Sequence, residues 1–467
     1  MKKILPLVLF SLAIGLAIPF LAGYKQFYYF LAVLFFGVLF FITRKKEVTV
    51  YDFLILFIIF IPFHHFRLGT GKFFVRLTEL PFIPLFLLWV TQASLNKNLR
   101  TKFIFREHLI LAFFIILSSL SIAKSLYPII SIYRTLTLTY MIVFSFIVSD
   151  IIKEKERLFS IIKTLLIVSG LAGILGILQS FFPSFSLFYK VSPHASIGPI
   201  RIYRATCGWD NPNYFALFLS VIIPITIGLL LSKQFKEKMF LKICLFLQML
   251  GLISTYSRNG AISVTAAFLF LLWFLRKKML TLTILTIIIV LISSIWIGKE
   301  YLYENNTFLY AFFFRIPLEQ VKEDPQIVAG FRWDVWRANI NMFLDNPFLG
   351  VGPFMAVENY WHYRPSKTIW QSELGNPHPH NEYISLLSER GIFSFFLFVA
   401  FLIMLIRRGV IVFKNNRNTQ LGAISLGLTA GAFSFLVAGL GEATINDVAF
   451  WVVVGLLLAT YKIIQNE

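Results

Sequence analysis

Long apolar runs, each bounded by charge or by turn-forming residues, recur along nearly the whole chain. A helix needs about 20 mainly apolar residues to cross a bilayer. Runs approaching that length lie near 4–22, 27–42, 50–64, 80–94, 108–123, 130–152, 158–182, 213–232, 239–256, 259–275, 279–298, 391–408, 420–440 and 447–464. Several are short, and re-entrant or merged segments would bring the fourteen down to twelve. The pattern predicts an all-α protein, a polytopic bundle of transmembrane helices. One polar interval breaks the series. Within it, Trp333, Trp336, Ile340 and Phe343 or Leu344 recur at helical spacing, with Asp334, Arg337, Asn341 and Asp345 on the opposite face. A helix over Phe331–Asp345 is expected there, ended by Asn346-Pro347. The chain then divides into spans within 1–298, a long polar loop at 299–390, and further spans within 391–467. It shows no internal repeat of fixed period and no low-complexity linker.

Composition sharpens this picture. Hydrophobic residues make up 58% of the 467, charged residues only 14%, and the mean hydropathy is +0.76. Soluble domains carry about 25% charged residues, so a soluble fold is excluded. The apolar run from Ile4 to Ala22 is longer than a typical signal h-region, and another follows at once. It therefore reads as a retained first helix. Cys207 lies in a loop and Cys244 inside a span, which predicts no disulfide framework.

Charge sets the sidedness. With a cytoplasmic N-terminus, the segments on that side carry far more Lys and Arg than the short loops opposite, as the positive-inside rule requires. Both termini then face the cytoplasm. The net charge of +20 is largely topological, and no nucleic-acid partner is needed to explain it. The long loop falls on the far side with the loops around 183–212 and 64–79, in the periplasm of a bacterium. No nucleotide-sugar or ATP pool is expected there, so chemistry must draw on an activated donor delivered by the membrane. Gly69-Thr-Gly-Lys72 lacks the spacing and the preceding strand of a phosphate-binding loop.

Four far-side elements carry candidate chemistry. Arg201 and Arg204 lie in a turn-rich loop leading into a span at Asn213. Their planar forks suit phosphate oxygens, although anionic lipid headgroups offer the same partner. Arg258 sits in the tight break Thr255–Gly260 between two spans. It can snorkel at the membrane edge, yet the charge bias argues against an idle arginine on this side. Arg332 lies at the edge of the apolar stripe expected to be buried, whereas Arg337 has Asp334 at i−3 as a partner. The segment Asn376–Tyr383 holds His378 and His380, two of seven histidines, beside Asn381. A His-x-His pair can bind metal, but only Glu382 and His362 are near enough to add ligands. No metal and no other cofactor is expected. An imidazole, with an ordinary pKa of about 6.5, suits a general base near neutral pH.

Together these residues suit glycosyl transfer. A sugar on a polyprenyl diphosphate leaves with a group already stable as an anion, so cations are needed rather than an acid. The acceptor hydroxyl needs a base on the opposite face of the sugar, and His380 suits that role. A single displacement of this kind inverts the anomeric centre.

Several stretches resemble the O-antigen ligase and polymerase superfamily. His380-Asn381, nine residues and then Gly391 looks like its H-[NSQ]-x9-G-x-x-G signature, with Ser394 in place of the last glycine. Thr255–Gly260 resembles its "SR-G" element, and Gly208–Ala216 its "G-x-x-x-N-P-N" element. Arg332–Trp336 with Asn346–Gly352 looks like "R-x-x-x-W … P-x-x-G-x-G". The resemblance implies a metal-independent membrane glycosyltransferase of the C-type fold class, with an undecaprenyl-diphosphate glycan as donor. The superfamily's essential groups carry over to Arg204, Arg258, Arg332 and His380, with Arg201, His378 and Asn381 as further substrate-binding candidates. The expected reaction is transfer to a lipid A-core hydroxyl on the periplasmic side of the inner membrane. A polymerase extending the lipid-linked glycan and transfer to protein share the same donor and base. A lipid-linked sugar transporter is the remaining alternative. It would place ionisable residues near the bilayer midplane, where Arg134 and Lys163 are the main candidates.

Overall fold

The structure, a computed structural model, describes residues 49–68, 75–95, 105–185, 193–197, 200–297, 327–365 and 377–467. The apolar runs 4–22 and 27–42 and the Gly69–Lys72 segment lie outside the described residues, as does much of the long loop. The helices are α1 (Val50–Phe60), α2 (Glu79–Leu95), α3 (Arg106–Ser121), α4 (Pro128–Ile151), α5 (Lys155–Phe181), α6 (Pro212–Leu231) and α7 (Lys238–Ser254). They continue as α8 (Arg258–Phe274), α9 (Lys278–Ile297), α10 (Ile327–Asp345), α11 (Ala356–Tyr363), α12 (Glu382–Asn415), α13 (Gln420–Ala438) and α14 (Val448–Asn466). Among the described residues, α3, α4, α5, α6, α12, α13 and α14 are long and apolar enough to cross a membrane. The protein is thus a polytopic helical bundle, as the apolar pattern predicts. Two short antiparallel hairpins, Arg67–Leu68 with Val75–Arg76 and Pro193–Ile197 with Ile200–Tyr203, fill loops where no strand was expected.

Lipid gives little hydrophobic drive between helices, so their contact depends on close approach and on shared polar groups. Gly173 of α5 faces α7 so closely that an added Cβ would come 2.1 Å from the Leu247 carbonyl oxygen. Gly228 of α6 meets Gly427 of α13 in the same way, a Cβ falling 2.9 Å from its Cα. Gln248, fully buried, accepts from the Thr226 hydroxyl at 2.8 Å and donates to Ser169 at 2.8 Å, tying three helices. The rings of Phe435 and Phe450 stack at 3.6 Å between α13 and α14.

The tertiary structure corrects three expectations. Lys163 is not a midplane charge: it lies two turns into α5 and pairs with Glu237 at 2.7 Å, half-exposed. Arg134 lies in the first two turns of α4, on the wall of a cavity at the other end of the bundle. In α10 the face that packs is Val335, Ala338, Asn339 and Met342, while Trp333, Ile340 and Leu344 are exposed. Asp334 is buried rather than solvated. The helix has rolled because small and polar groups, such as Asn339 accepting from Ser388 at 2.7 Å, fit the packed side.

The span expected from 391 begins earlier, at Glu382, and is broken at Gly391, whose φ of 74° and ψ of 179° are essentially reserved for glycine. The break exposes backbone groups that the segment after α10 satisfies. Ile392 N–H donates to the Pro347 carbonyl at 2.9 Å, and Val351 and Gly352 donate to Ser388 and Glu389 at 2.9 and 3.1 Å. A Cβ on Gly391 would lie 2.1 Å from the Phe348 carbonyl oxygen. Gly391→Ala is therefore expected to cost at least about 1–3 kcal/mol and to lower the thermal midpoint in detergent. An unchanged midpoint would show that this junction adapts freely.

Candidate active site

The breaks predicted for the far side converge at one end of the bundle. His380 has φ 47°, a left-handed conformation uncommon outside glycine. The next residue, Asn381, caps α12: its side-chain oxygen accepts from Tyr383 and Ile384 N–H at 3.0 and 3.1 Å. Its amide donates to the Leu440 carbonyl at 3.2 Å, and Glu382 N–H donates to Gly439 at 2.8 Å. The Glu382 carboxylate accepts in turn from Ile445 N–H at 2.8 Å. These bonds dock the start of α12 against the loop between α13 and α14. That docking brings Glu442 to His380, with Nδ1 to Oε1 at 2.9 Å. On the other side, the Trp336 indole donates to the Pro379 carbonyl at 2.8 Å.

Glu442 is 3% exposed and has a second fixed partner. Asn213, at the start of α6, donates its amide to Oε2 at 3.0 Å. The Asn213 carbonyl oxygen accepts from Arg204 Nη2 at 3.0 Å and from the Ser257 hydroxyl at 3.2 Å. Ser257 caps α8, in which Arg258 is the first residue. Arg332, from α10, is close enough for its charge to act on both Arg258 and Glu442. Burial alone would raise the Glu442 carboxyl. Its hydrogen bond and charge interaction with His380, the Asn213 amide and the Arg332 charge outweigh that and hold it below the ordinary carboxylate value.

The chemistry follows from this geometry. A carboxylate can only accept, so Nδ1 of His380 carries the proton toward Glu442 and Nε2 is left as a proton acceptor. Any imidazolium formed would be stabilised by the same carboxylate.

A cavity of about 410 Å³ opens on His380 and Glu442. His378 lines it, with its ring 6.3 Å from that of His380, as do Arg134 and a second histidine–carboxylate hydrogen bond, His65 Nδ1 to Asp210 Oδ1 at 2.8 Å. Arg76 also reaches the wall, where it donates to His64 Nε2 at 2.7 Å. Burial and the Arg76 charge keep His64 well below its ordinary pKa, hence neutral. Asp447, the cap of α14, is pushed up by burial to about 7, despite its bonds to backbone N–H groups. Among the described residues, no three His, Cys, Asp or Glu side chains are grouped as metal ligands.

The candidates from the sequence fare differently. His380 bonds Glu442, Arg332 acts on that carboxylate by its charge, and Arg258 lies within the field of Arg332. Arg204 lies beside them, but it spends Nε on the Thr255 carbonyl at 3.0 Å and Nη2 on Asn213, bracing two loops. Asn381 is a helix cap. Arg201 lies in the strand Ile200–Tyr203, and its side chain is outside the described residues. Sequence reasoning missed Glu442 as the imidazole's partner and Asn213 as the bridge. The available signal was two carboxylates, Glu442 and Asp447, in the short turn Gly441–Asp447 between two spans, where a charge needs a reason.

Residues 243–399 match the O-antigen ligase family. The match runs from α7 through the long loop into α12, and it includes Arg258, Arg332 and His380. This stretch is similar to the O-antigen ligase family, the superfamily that the sequence motifs resemble. No curated protein matches the chain. Arg204, Asn213 and Glu442 fall outside the matched stretch, yet hydrogen bonds join them to it.

Because the folded Glu442 carboxyl lies below its ordinary value of 4.5, its contribution is present above that value and is lost as pH falls through the folded value. The wild-type thermal midpoint should therefore fall below about pH 4.5, and Glu442→Gln should flatten that acid limb. Identical acid limbs in the two proteins would show that the carboxylate is not held as described.

Proposed function

We propose that this chain is an inverting glycosyltransferase. It takes a glycan from an undecaprenyl-diphosphate carrier and transfers it to a hydroxyl of a lipid A-core acceptor, on the periplasmic side of the bacterial inner membrane. The observation that carries this reading is the His380–Glu442 pair, with Arg258 and Arg332 brought from separate segments into each other's field beside it. Two like charges within each other's field suit a multiply charged anion.

In this reading Nε2 of His380 takes the proton of the acceptor hydroxyl as its oxygen attacks the anomeric carbon. The bond from that carbon to the diphosphate oxygen breaks, and its electron pair leaves on the diphosphate. Arg258 and Arg332 hold the growing charge, while Glu442 offsets the imidazolium. A positioned base contributes typically about 10²–10⁴ in rate, and each well-aimed electrostatic donor about 10²–10³. Arg204 keeps the α6 and α8 starts in register so that Asn213 can orient Glu442. No metal enters these steps.

Purified protein, lipid-diphosphate glycan and acceptor provide the test. His380→Asn, which tolerates the left-handed backbone, should lower turnover by at least about 10²-fold while donor binding survives. Normal turnover would remove His380 from the base role. Arg258→Lys and Arg332→Lys should each lose about ten-fold or more, since a point charge does not copy the planar fork. Turnover should be unaffected by EDTA, and a loss restored by a divalent cation would overturn the metal-independent step.

A further inference from the structure

The cavity beside His380 contains unusual polar atoms. Arg390 is 1% exposed, yet its Nε and Nη2 have no hydrogen-bond partner among the described residues. Its Nη1 donates to Glu389 at 3.0 Å, and its guanidinium lies 4.5 Å from the Phe354 ring centroid. Glu358 Oε2 and Asn446 Oδ1, on the same walls, are likewise buried without a partner. Buried polar atoms are normally satisfied, and each one left unmade costs stability. Such donors and acceptors, on residues that line one cavity and without a partner among the described residues, fit a ligand that offers both.

The lining also narrows the ligand class. Carboxylates of Asp210, Glu358, Glu389 and Glu442 stand among the arginines, which disfavours a polyanion. Apolar surface is too interrupted for a lipid chain. A neutral, hydroxyl-rich ring matches donors and acceptors together, and Tyr214 and Phe354 offer apolar faces for its C–H side. The volume lies within the range of small-ligand sites, about 300–1,000 Å³. None of Arg204, Arg258 and Arg332 is on these walls, whereas His380 is. The cavity therefore opens on the base, and the arginines on its wall are Arg76, Arg134 and Arg390 rather than Arg258 and Arg332.

We infer that this cavity is the acceptor subsite, binding a neutral saccharide unit through Arg390, Glu358 and Asn446 so that one of its hydroxyls meets His380. The assignment rests on the glycosyl-transfer reading for the role of His380, but its binding prediction is separable from it. Arg390 variants risk misfolding, because the guanidinium is part of a buried ion pair. Glu358→Gln and Asn446→Leu carry the test instead.

Lipid-free core oligosaccharide is titrated into the purified full-length chain in detergent, with binding followed by saturation-transfer NMR. Transfer kinetics are measured in parallel. Each variant should weaken oligosaccharide binding by about ten-fold or more and raise the acceptor KM by a similar factor, with the donor KM held. Wild-type binding in both variants, or a rise in donor KM instead of acceptor KM, would overturn the subsite. If the wild type binds the oligosaccharide and the variants do not, while no glycan is transferred, the subsite stands and the transferase reading falls.

Discussion

The site depends on one buried carboxylate. Glu442 comes from the turn between α13 and α14, and it accepts from His380 before α12 and from Asn213 at the start of α6. Through Asn213 it is linked to Arg204 and to Ser257, the cap of α8. A buried charge is costly unless it is fully hydrogen-bonded. The cheapest arrangement for Glu442 therefore holds four distant segments together. The bond to His380 also fixes its tautomer, so one interaction both stabilises the fold and leaves Nε2 as an acceptor.

The bundle beneath supplies rigidity by different means. Its helices meet through glycines and small residues and through buried side-chain amides such as Gln248, because burial from lipid gives little drive of its own. Gln179 repeats the device nearer the site, accepting from Thr206 and Cys207 N–H at 3.1 and 2.8 Å and so holding the loop that carries Arg204. The break at Gly391 is the third device. Interrupting α12 frees backbone groups, and the Pro347–Gly352 segment occupies them, which anchors α10 and its Arg332 to the spans.

The helix α10 shows how local pattern and tertiary position diverge. Its apolar residues Trp333, Ile340 and Leu344 point outward, together with Phe348 beyond its end. In a soluble protein such a face would be turned inward. Here small side chains and the Asn339–Ser388 hydrogen bond take the packed side instead, so the hydrophobic stripe did not predict the packed face.

The sequence by itself determined the helical architecture and singled out polar groups that gather at one end of the bundle. Span after span lies within a few residues of its apolar run, since backbone groups in lipid must be satisfied inside a helix and little else competes. Arg258 and Arg332 stood out as charges needing a reason where few were expected, and His380 as an imidazole beside an amide and a carboxylate in a polar segment. The tertiary structure alone decided the rest: that Glu442 orients the imidazole, that Asn381 and Arg204 act as cap and brace, and that Arg390, Glu358 and Asn446, each with buried polar atoms unpartnered among the described residues, share a cavity. Those are relations between residues up to 229 positions apart, such as Asn213 and Glu442. No local periodicity encodes a hydrogen bond of that range, because it exists only once helix packing has set the distance.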